Sequence, residues 1–447
     1  MSVAKRCALT RRTHTKRATT PFVHTFVFLV VFTASISHAV PMPTPRLAIA
    51  QHTLWRKLRS RIDLQGETVQ SKTRILKAFD AIPYSAVDLD ATWLPGVGQL
   101  RWHVGNAGLK NHHLDALEKA LECAQAELIS IRAARDDSED DGRIVIHDGG
   151  PTQGHLHTVH WQGPELLRDQ RTSFTVSWPR LQWLRSVHRP SHERSCDKEF
   201  RRDLFRMLCC YDAFSGQSGR GNHAAVPPEV YAAFEAWASA PLGTAFEAFA
   251  SPLNHRTVAV TPTRPSSEVV CFGSAFGNVD RPFGSLGSFL SLGALPMRPP
   301  RTLLVANPPF LRSHMDALEP KLRELLRSTR DAVALCVVPA QSARSTAEAP
   351  HCQALLASPL TRGFVELAAH EHVFCSGISH RQTLKASYAM PSSHATSVVV
   401  MASCDLSSDS VSQLLEGVRE AFRPPSNVPP SNHRPRRARR SRRPQRT

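Results

Sequence analysis

The chain has 447 residues, 41 % hydrophobic and 7 % aromatic, with a formal net charge of +17. That length and apolar content are enough for two domains with real cores, and they exclude a small disulfide-stapled scaffold. Its ten cysteines include no C-x-x-C pair and no Cys/His clamp, so a zinc module is excluded and no metal is expected. The adjacent Cys209 and Cys210 read as core packing, and the scattered usage fits a reducing compartment.

Residues 1–41 form a basic and apolar leader. Lys5, Arg6, Arg11, Arg12, Lys16 and Arg17 come without an acid, and an apolar stretch from Phe22 to Phe32 runs on toward Ser37-His38-Ala39. Three readings fit: a secretory signal, an organellar presequence, or a start of translation at Met42 that bypasses the segment. The apolar stretch is shorter than eighteen residues and holds His24, too short for a membrane span, so no membrane partner is expected. Residues 42–135 read as a helical domain. Leu54, Leu58 and Ile62 recur at four-residue spacing, as do Leu114, Leu117, Leu121 and Leu128 at helical intervals, with breaks at Trp93-Leu94-Pro95-Gly96 and Gly98. Residues 136–172 read as an acidic linker and connecting segment, opened by Asp136-Asp137-Ser138-Glu139-Asp140-Asp141-Gly142.

The domain expected over 173–403 opens with a strand, Ser173 to Ser177, and a helix from Pro179 to Val187. A second strand, Thr244 to Ala250, ends in the turn Ser251-Pro252-Leu253-Asn254. His255 to Glu268, rich in Thr, Pro and Ser, reads as a surface insertion. Thr302 to Ala306, the helical segment after Phe310 and Ala332 to Pro339 predict a strand–helix–strand unit with parallel strands, in which Pro320 should interrupt or kink the helix. Ala395 to Met401 is a further buried strand. The consistent architecture is α/β: a doubly wound sheet with helices on both faces. Residues 404–430 read as a helix and Pro-rich linker, and 431–447 as an Arg-rich disordered tail with eight arginines from Arg434 to Arg446. Taking those eight charges and the six at the start from +17 leaves +3, so the basicity lies in two tails of the kind used for nuclear import or nucleic-acid binding.

Chemistry concentrates at Asn307-Pro308-Pro309-Phe310, which follows the apolar run Thr302 to Ala306 and so sits at the carboxyl end of a strand. An exocyclic adenine amine is a poor nucleophile because its lone pair is delocalised into the ring. The Asn307 side-chain oxygen and the Pro308 carbonyl, held rigid by two prolines, suit acceptance of both amine hydrogens. That favours the pyramidal nitrogen of the transition state for methyl transfer. Phe310 suits stacking on the flat face of the base. Asn-Pro-Pro is also ordinary turn chemistry.

The surrounding blocks are Phe246-Glu247-Ala248-Phe249-Ala250-Ser251-Pro252-Leu253-Asn254, Ser274-Ala275-Phe276, Asp280, Phe283-Gly284-Ser285-Leu286-Gly287, His370-Glu371-His372-Val373-Phe374-Cys375-Ser376-Gly377, and the run from Ser387 to Met401. In this order and spacing, from Thr175 to about Met401, they resemble the phosphorylated-CTD-interacting-factor family, the cap-specific adenosine-N6 methyltransferases of messenger RNA. The resemblance implies a Rossmann-like class I methyltransferase sheet preceded by a mainly helical domain. It implies S-adenosyl-L-methionine as cofactor and the capped mRNA 5′ end as substrate, with N6-methylation of the 2′-O-methyladenosine beside the cap. The RNA polymerase II CTD is a further implied partner, and the nucleus the implied location. Asn307, Pro308, Pro309 and Phe310 are assigned to catalysis. Ser251, Pro252, Leu253, Asn254, Asp280, Phe283, Gly284, Gly287, Asn307 and Leu311 are assigned to the cofactor. Phe310, Arg312, His370, Glu371, Phe374, Ser376 and Gly377 are assigned to the substrate, and no residue to a metal.

The chain departs from the family at Pro339-Ala340-Gln341, where the family has Pro-Glu-Trp, at Leu286 in place of an arginine and at Arg312 in place of an acid. No WW-like module precedes the helical region. An N-methyltransferase of protein or DNA, and a non-catalytic RNA- or CTD-binding relative, are therefore the alternative readings.

Overall fold

The computed structural model describes residues 45–60, 62, 75, 79, 100–105, 107–133, 143–148, 156–162, 173–189, 196–215, 224–241, 244–256, 271–296, 301–340, 349–377 and 389–424. The expected leader, the acidic run 136–142, most of the insertion after Arg256, Gln341 and the Arg-rich tail lie outside these residues. Helix α1 (Pro45–Ser60) and helix α2 (Asn111–Ala133) follow the leucine periodicity. Leu47, Leu54, Trp55 and Leu58 bury one stripe of α1, and Leu114, Leu117, Leu121 and Leu128 one stripe of α2.

Three strands follow: β1 (Arg143–Asp148), β2 (Leu156–Gln162) and β3 (Ser173–Ser177), an antiparallel meander with Ile144 opposite Trp161 and Val159 opposite Phe174. β1 and β2 lie within the span expected as an acidic linker and connecting segment, 136–172, and are its described part. Val159 and Trp161 alternate with His and Thr, and this half-polar pattern is what a sheet with one solvated face requires. Helix α3 (Trp178–Val187) leaves β3 directly, started by Pro179 in its first turn, and helix α4 (Cys196–Ser215) lies against α1 and the small sheet. Cys209 and Cys210 are buried within α4. His52 of α1 meets Asp212 of α4 at 2.9 Å, with Arg56 at 3.7 Å from the same carboxylate.

Helix α5 (Pro228–Trp237) precedes the large sheet. Its strands are β4 (Phe246–Ala250), β5 (Phe272–Ser274), β6 (Thr302–Ala306), β7 (Ala332–Pro339), β8 (Thr361–Leu367) and β11 (Thr396–Ala402), in the order β5-β4-β6-β7-β11-β8. β5, β4, β6 and β7 run parallel, and β11 is antiparallel to both of its neighbours. The protein is thus mixed α/β with a six-stranded mixed sheet. Every residue of β7 is buried, as a central strand covered on both faces must be. Val333, Leu335 and Val337 pack into one core with α5 and helix α9 (Ser408–Ala421). Ala334, Cys336 and Val338 pack into the other, with helices α7 (Arg312–Ser328) and α8 (Ala349–Leu356). A two-stranded ribbon, β9 (Val373–Cys375) with β10 (Ala389–Pro391), sits between β8 and β11 in sequence, and a short helix, α6 (Gly277–Asp280), follows β5.

Pro320 does not end α7, which continues to Ser328. Pro320 has no N–H to donate to the Asp316 carbonyl one turn earlier, and both residues are exposed on the outer face of the helix. Leu318, Leu322, Leu325 and Leu326, all buried, hold the helix to the sheet on its other side.

Candidate active site

β4 continues to β5 on one side of the sheet while β6 and β7 continue on the other, so the strand order reverses between β4 and β6. A crevice outside the carboxyl ends of the strands at such a point is where open α/β sheets hold ligands. Ser251 to Asn254 follows β4 and Asn307 to Phe310 follows β6, so both expected segments flank that point. Thr396, the first residue of β11, pairs with Pro339 at the end of β7 and with Leu367 at the end of β8. The segment His370 to Gly377 therefore leaves the same edge of the sheet.

Asn307 is half-buried, Pro308 buried and Phe310 42 % exposed. The Asn307 Nδ2 donates to the Ala224 carbonyl at 2.8 Å. Among the described residues, neither the Asn307 Oδ1 nor the Pro308 carbonyl receives a hydrogen bond. The Leu311 N–H donates to the Pro309 carbonyl at 2.6 Å, and the Leu311 carbonyl accepts from Met315 as α7 begins. Leu311 packs on the core shared by α1 to α4. Arg312 is the first residue of α7; its side chain lies outside the described set. His314, one turn into α7 and buried beside Phe249 of β4, is pushed down to about 4 by burial and stays neutral.

The turn after β4 is closed by its own side chains. Asn254 Oδ1 accepts from the Ser251 N–H at 2.7 Å and from its hydroxyl at 2.9 Å. Leu253 is buried in the core, and Arg180 of α3 donates to the Pro252 carbonyl at 3.3 Å. His255 and Arg256, expected to begin a surface insertion, are buried instead. His255 sits 3.1 Å from Glu247 and stacks on Trp183, while Arg256 pairs with Glu235 and lies over the Tyr231 ring. Burial pushes the Glu247 carboxyl up, while the Tyr231 hydroxyl and Arg256 pull it back. Two buried acids here recruit the chain's next two basic groups, which is why the insertion's first residues turn inward.

Between β5 and Gly287 the chain packs tightly. Gly284 and Gly287 have φ of 97° and 91°, values that a side chain strongly disfavours. Ser274 N–H donates to the Gly287 carbonyl and Leu286 N–H to the Phe272 carbonyl, both at 2.8 Å, so this loop extends the sheet beside β5. The Cβ position of Gly287 faces open space. Phe283 is fully buried against Phe200 and His188, a packing position. Asp280 is also fully buried. Its Oδ2 accepts from Tyr211 of α4 at 2.6 Å, and its Oδ1 has no partner among the described residues. Burial pushes its carboxyl up to about 7 against the pull of the Tyr211 and Ser274 hydroxyls.

His370 and Glu371 are exposed at the turn after β8, where His370 adopts a left-handed φ of 69°. Phe374 is buried against His372 and Phe422. His372 is neutral, since burial pushes its pKa down. It donates from Nδ1 to the Ala368 carbonyl and accepts at Nε2 from Thr396, both at 2.8 Å. Ser376 and Gly377 are buried beside β9. The structure therefore brings Asn307 to Leu311, the turn 251–254 and the start of the 370–377 segment to one sheet edge. It places Phe283 and Phe374 in cores. Arg180, Tyr211, Glu247 and Ala224 escaped sequence reasoning, and only Glu247, a lone acid in an apolar strand, carried a local signal. Among the described residues no group of three His, Cys, Asp or Glu is placed to hold a metal ion.

These features define an α/β protein with an Asn-Pro-Pro-Phe segment at the switch point of a mixed sheet. The family model described as "Phosphorylated CTD interacting factor 1 WW domain" matches residues 181–377, and over this segment the chain is similar to the phosphorylated CTD interacting factor 1 family. The matched residues run from α3 to the end of the 370–377 segment and include the blocks from Phe246 to Gly377, but not the run from Ser387 to Met401. They build helices and the parallel strands of the large sheet.

Proposed function

We propose that this protein transfers a methyl group from S-adenosyl-L-methionine to N6 of an adenosine in RNA, the 2′-O-methyladenosine next to the mRNA cap. The observation that carries the reading is Asn307 at the switch point, its amide nitrogen committed to Ala224 and its oxygen uncommitted, beside the exposed ring of Phe310. The β order, with antiparallel β11 between β7 and β8, suits a Rossmann-like methyltransferase sheet. The residues fit the cofactor. The turn 251–254 and the Asn307 segment follow two adjacent parallel strands, Gly287 leaves open space where a side chain would stand, and Asp280 Oδ1 is a buried acceptor that a hydroxyl would satisfy. When bound, the cofactor supplies an electrophilic methyl group on a sulfonium.

The protein's own groups act on the acceptor. Asn307 Oδ1 and the Pro308 carbonyl accept the two amine hydrogens and draw the nitrogen lone pair out of conjugation. Phe310 stacks on the adenine and holds the amine in line. Asp280, Gly284, Gly287 and the main chain of 251–254 form the cofactor side. His370 and Glu371, exposed at the same edge, form the RNA side. The nuclear site of action and the phosphorylated polymerase tail as partner belong to the same proposal, with the arginines from Arg434 to Arg446 as the anionic-partner contact.

The test is labelled methyl transfer to capped RNA, uncapped RNA and DNA, with Asn307→Ala as control. Capped RNA should be the best acceptor, and Asn307→Ala should lose at least about 10²-fold in turnover while keeping its fold. Transfer only to DNA or protein sinks the cap reading. Absence of S-adenosylhomocysteine binding would favour a non-catalytic relative.

A further inference from the structure

We propose that the Ala224 main-chain carbonyl is the positioning group that orients the Asn307 amide, and that it makes Asn, not Asp, the working residue at this position. This rests on the reading of Asn307 above, but its physical basis can be measured without substrate. A carbonyl can only accept, so the group 2.8 Å from it must be a donor. That single contact assigns Nδ2 to the interior and leaves Oδ1 for the substrate amine.

The carbonyl is itself held in place. Ala225, the next residue, exchanges two main-chain hydrogen bonds with Cys375 of β9, at 3.0 and 2.8 Å. β9 pairs with β10, and His372, two residues before the ribbon's Phe374, is tied to Thr396 at the start of β11. Val226 is buried, and Pro227 caps α5. A short strap at 224–227 thus couples the end of β6 to the 370–377 segment, far apart in sequence. Without it the amide would rotate freely and present donor and acceptor in turn.

An ionised carboxylate at 307 would set an acceptor against an acceptor in a half-buried place, which costs both the lost bond and a repulsion. A protonated carboxyl would restore the pattern, its O–H donating to Ala224 and its carbonyl oxygen facing outward. N307D should therefore be defective at high pH and recover as pH falls, and its carboxyl should titrate above the ordinary range. Titratable and charged groups on the surrounding elements include Glu229, Tyr231 and Glu235 of α5, Glu247 of β4, Arg256 after it, His314, Asp316 and Glu319 of α7, and His370, Glu371, His372 and Cys375 after β8. Comparison with the wild type at each pH removes their contribution.

The experiment has two arms, run between pH 5.5 and 8.5 on the full chain. In the first, urea midpoints of N307D and wild type should differ most at pH 8.5 and converge as pH falls, while those of N307A keep a constant offset. In the second, N307D turnover relative to wild type should be down at least about 10²-fold at pH 8.5 and rise toward low pH. A stability difference for N307D that does not change with pH, or an N307D as stable and active as wild type at pH 8.5, overturns the inference. Convergence of the midpoints with no methyl transfer by the wild type sustains the positioning role and removes the methyltransferase reading instead.

Discussion

At the scale of single residues, Asp280 and His314 are two buried titratable groups with opposite pH signs. The Asp280 carboxyl, raised from 3.8 to about 7, is protonated in the folded chain at pH values where the unfolded chain has lost the proton. Its contribution to stability therefore falls as pH rises from about 4 to 7. His314, lowered from 6.5 to about 4, is neutral when folded and charged when unfolded, so its contribution rises between about 4 and 6.5. The two slopes oppose each other over most of that window. D280N removes one of them, and its urea midpoint relative to the wild type should climb as pH rises from 4 toward 7. A D280N curve parallel to the wild type across that window would mean that Asp280 is ionised in the folded chain.

At the scale of elements, the 277 and 287 segments approach each other closely beside the site. A Cβ on Gly277 would stand 2.7 Å from the Gly287 Cα, which is main chain and cannot step aside alone. G277A should cost roughly 1–3 kcal/mol by overpacking and weaken S-adenosylhomocysteine binding along with it, measured by urea unfolding and calorimetry. Unchanged stability would show that the two segments do not touch. Which elements were legible in the sequence follows from the same local physics. β6, β7 and β11 are continuous apolar runs because both faces of the sheet are covered, and that density is visible residue by residue. β1 and β2 carry His and Thr on a solvated face and hid among polar residues. The Asn307 segment announced itself through its composition. The Ala224 strap did not, because its role is made of main-chain atoms and of a bridge to Cys375, and no side chain encodes either. The burial of Asp280 and Phe283 was equally invisible, since the covering groups, Tyr211 and Phe200, come from α4.

At the scale of the whole molecule, the charge is distributed unlike the structure. The +17 of the chain falls to +3 without the arginines after residue 433 and the six basic residues before residue 18, and neither segment belongs to the described fold. Among the described residues no helix is long and apolar enough to cross a membrane. The ionic pairs that are described serve the fold: Asp212 with His52 and Arg56 joins α1 to α4, and Glu235 with Arg256 anchors the turn after β4. A near-neutral body gives an RNA little long-range attraction, so in the proposed function the phosphate backbone is held largely by the tails. Each phosphate neutralised on a single strand steepens the dependence of log affinity on log salt by about 0.7, so eight engaged arginines would contribute a slope of up to about 6. Deleting residues 431–447 should therefore weaken RNA binding at low salt, flatten the salt slope by several units, and leave turnover at saturating RNA unchanged. Binding isotherms at four or five salt concentrations decide the matter. A slope unaltered by the deletion would show that the arginine tail does not touch the RNA and that attraction comes from the folded body.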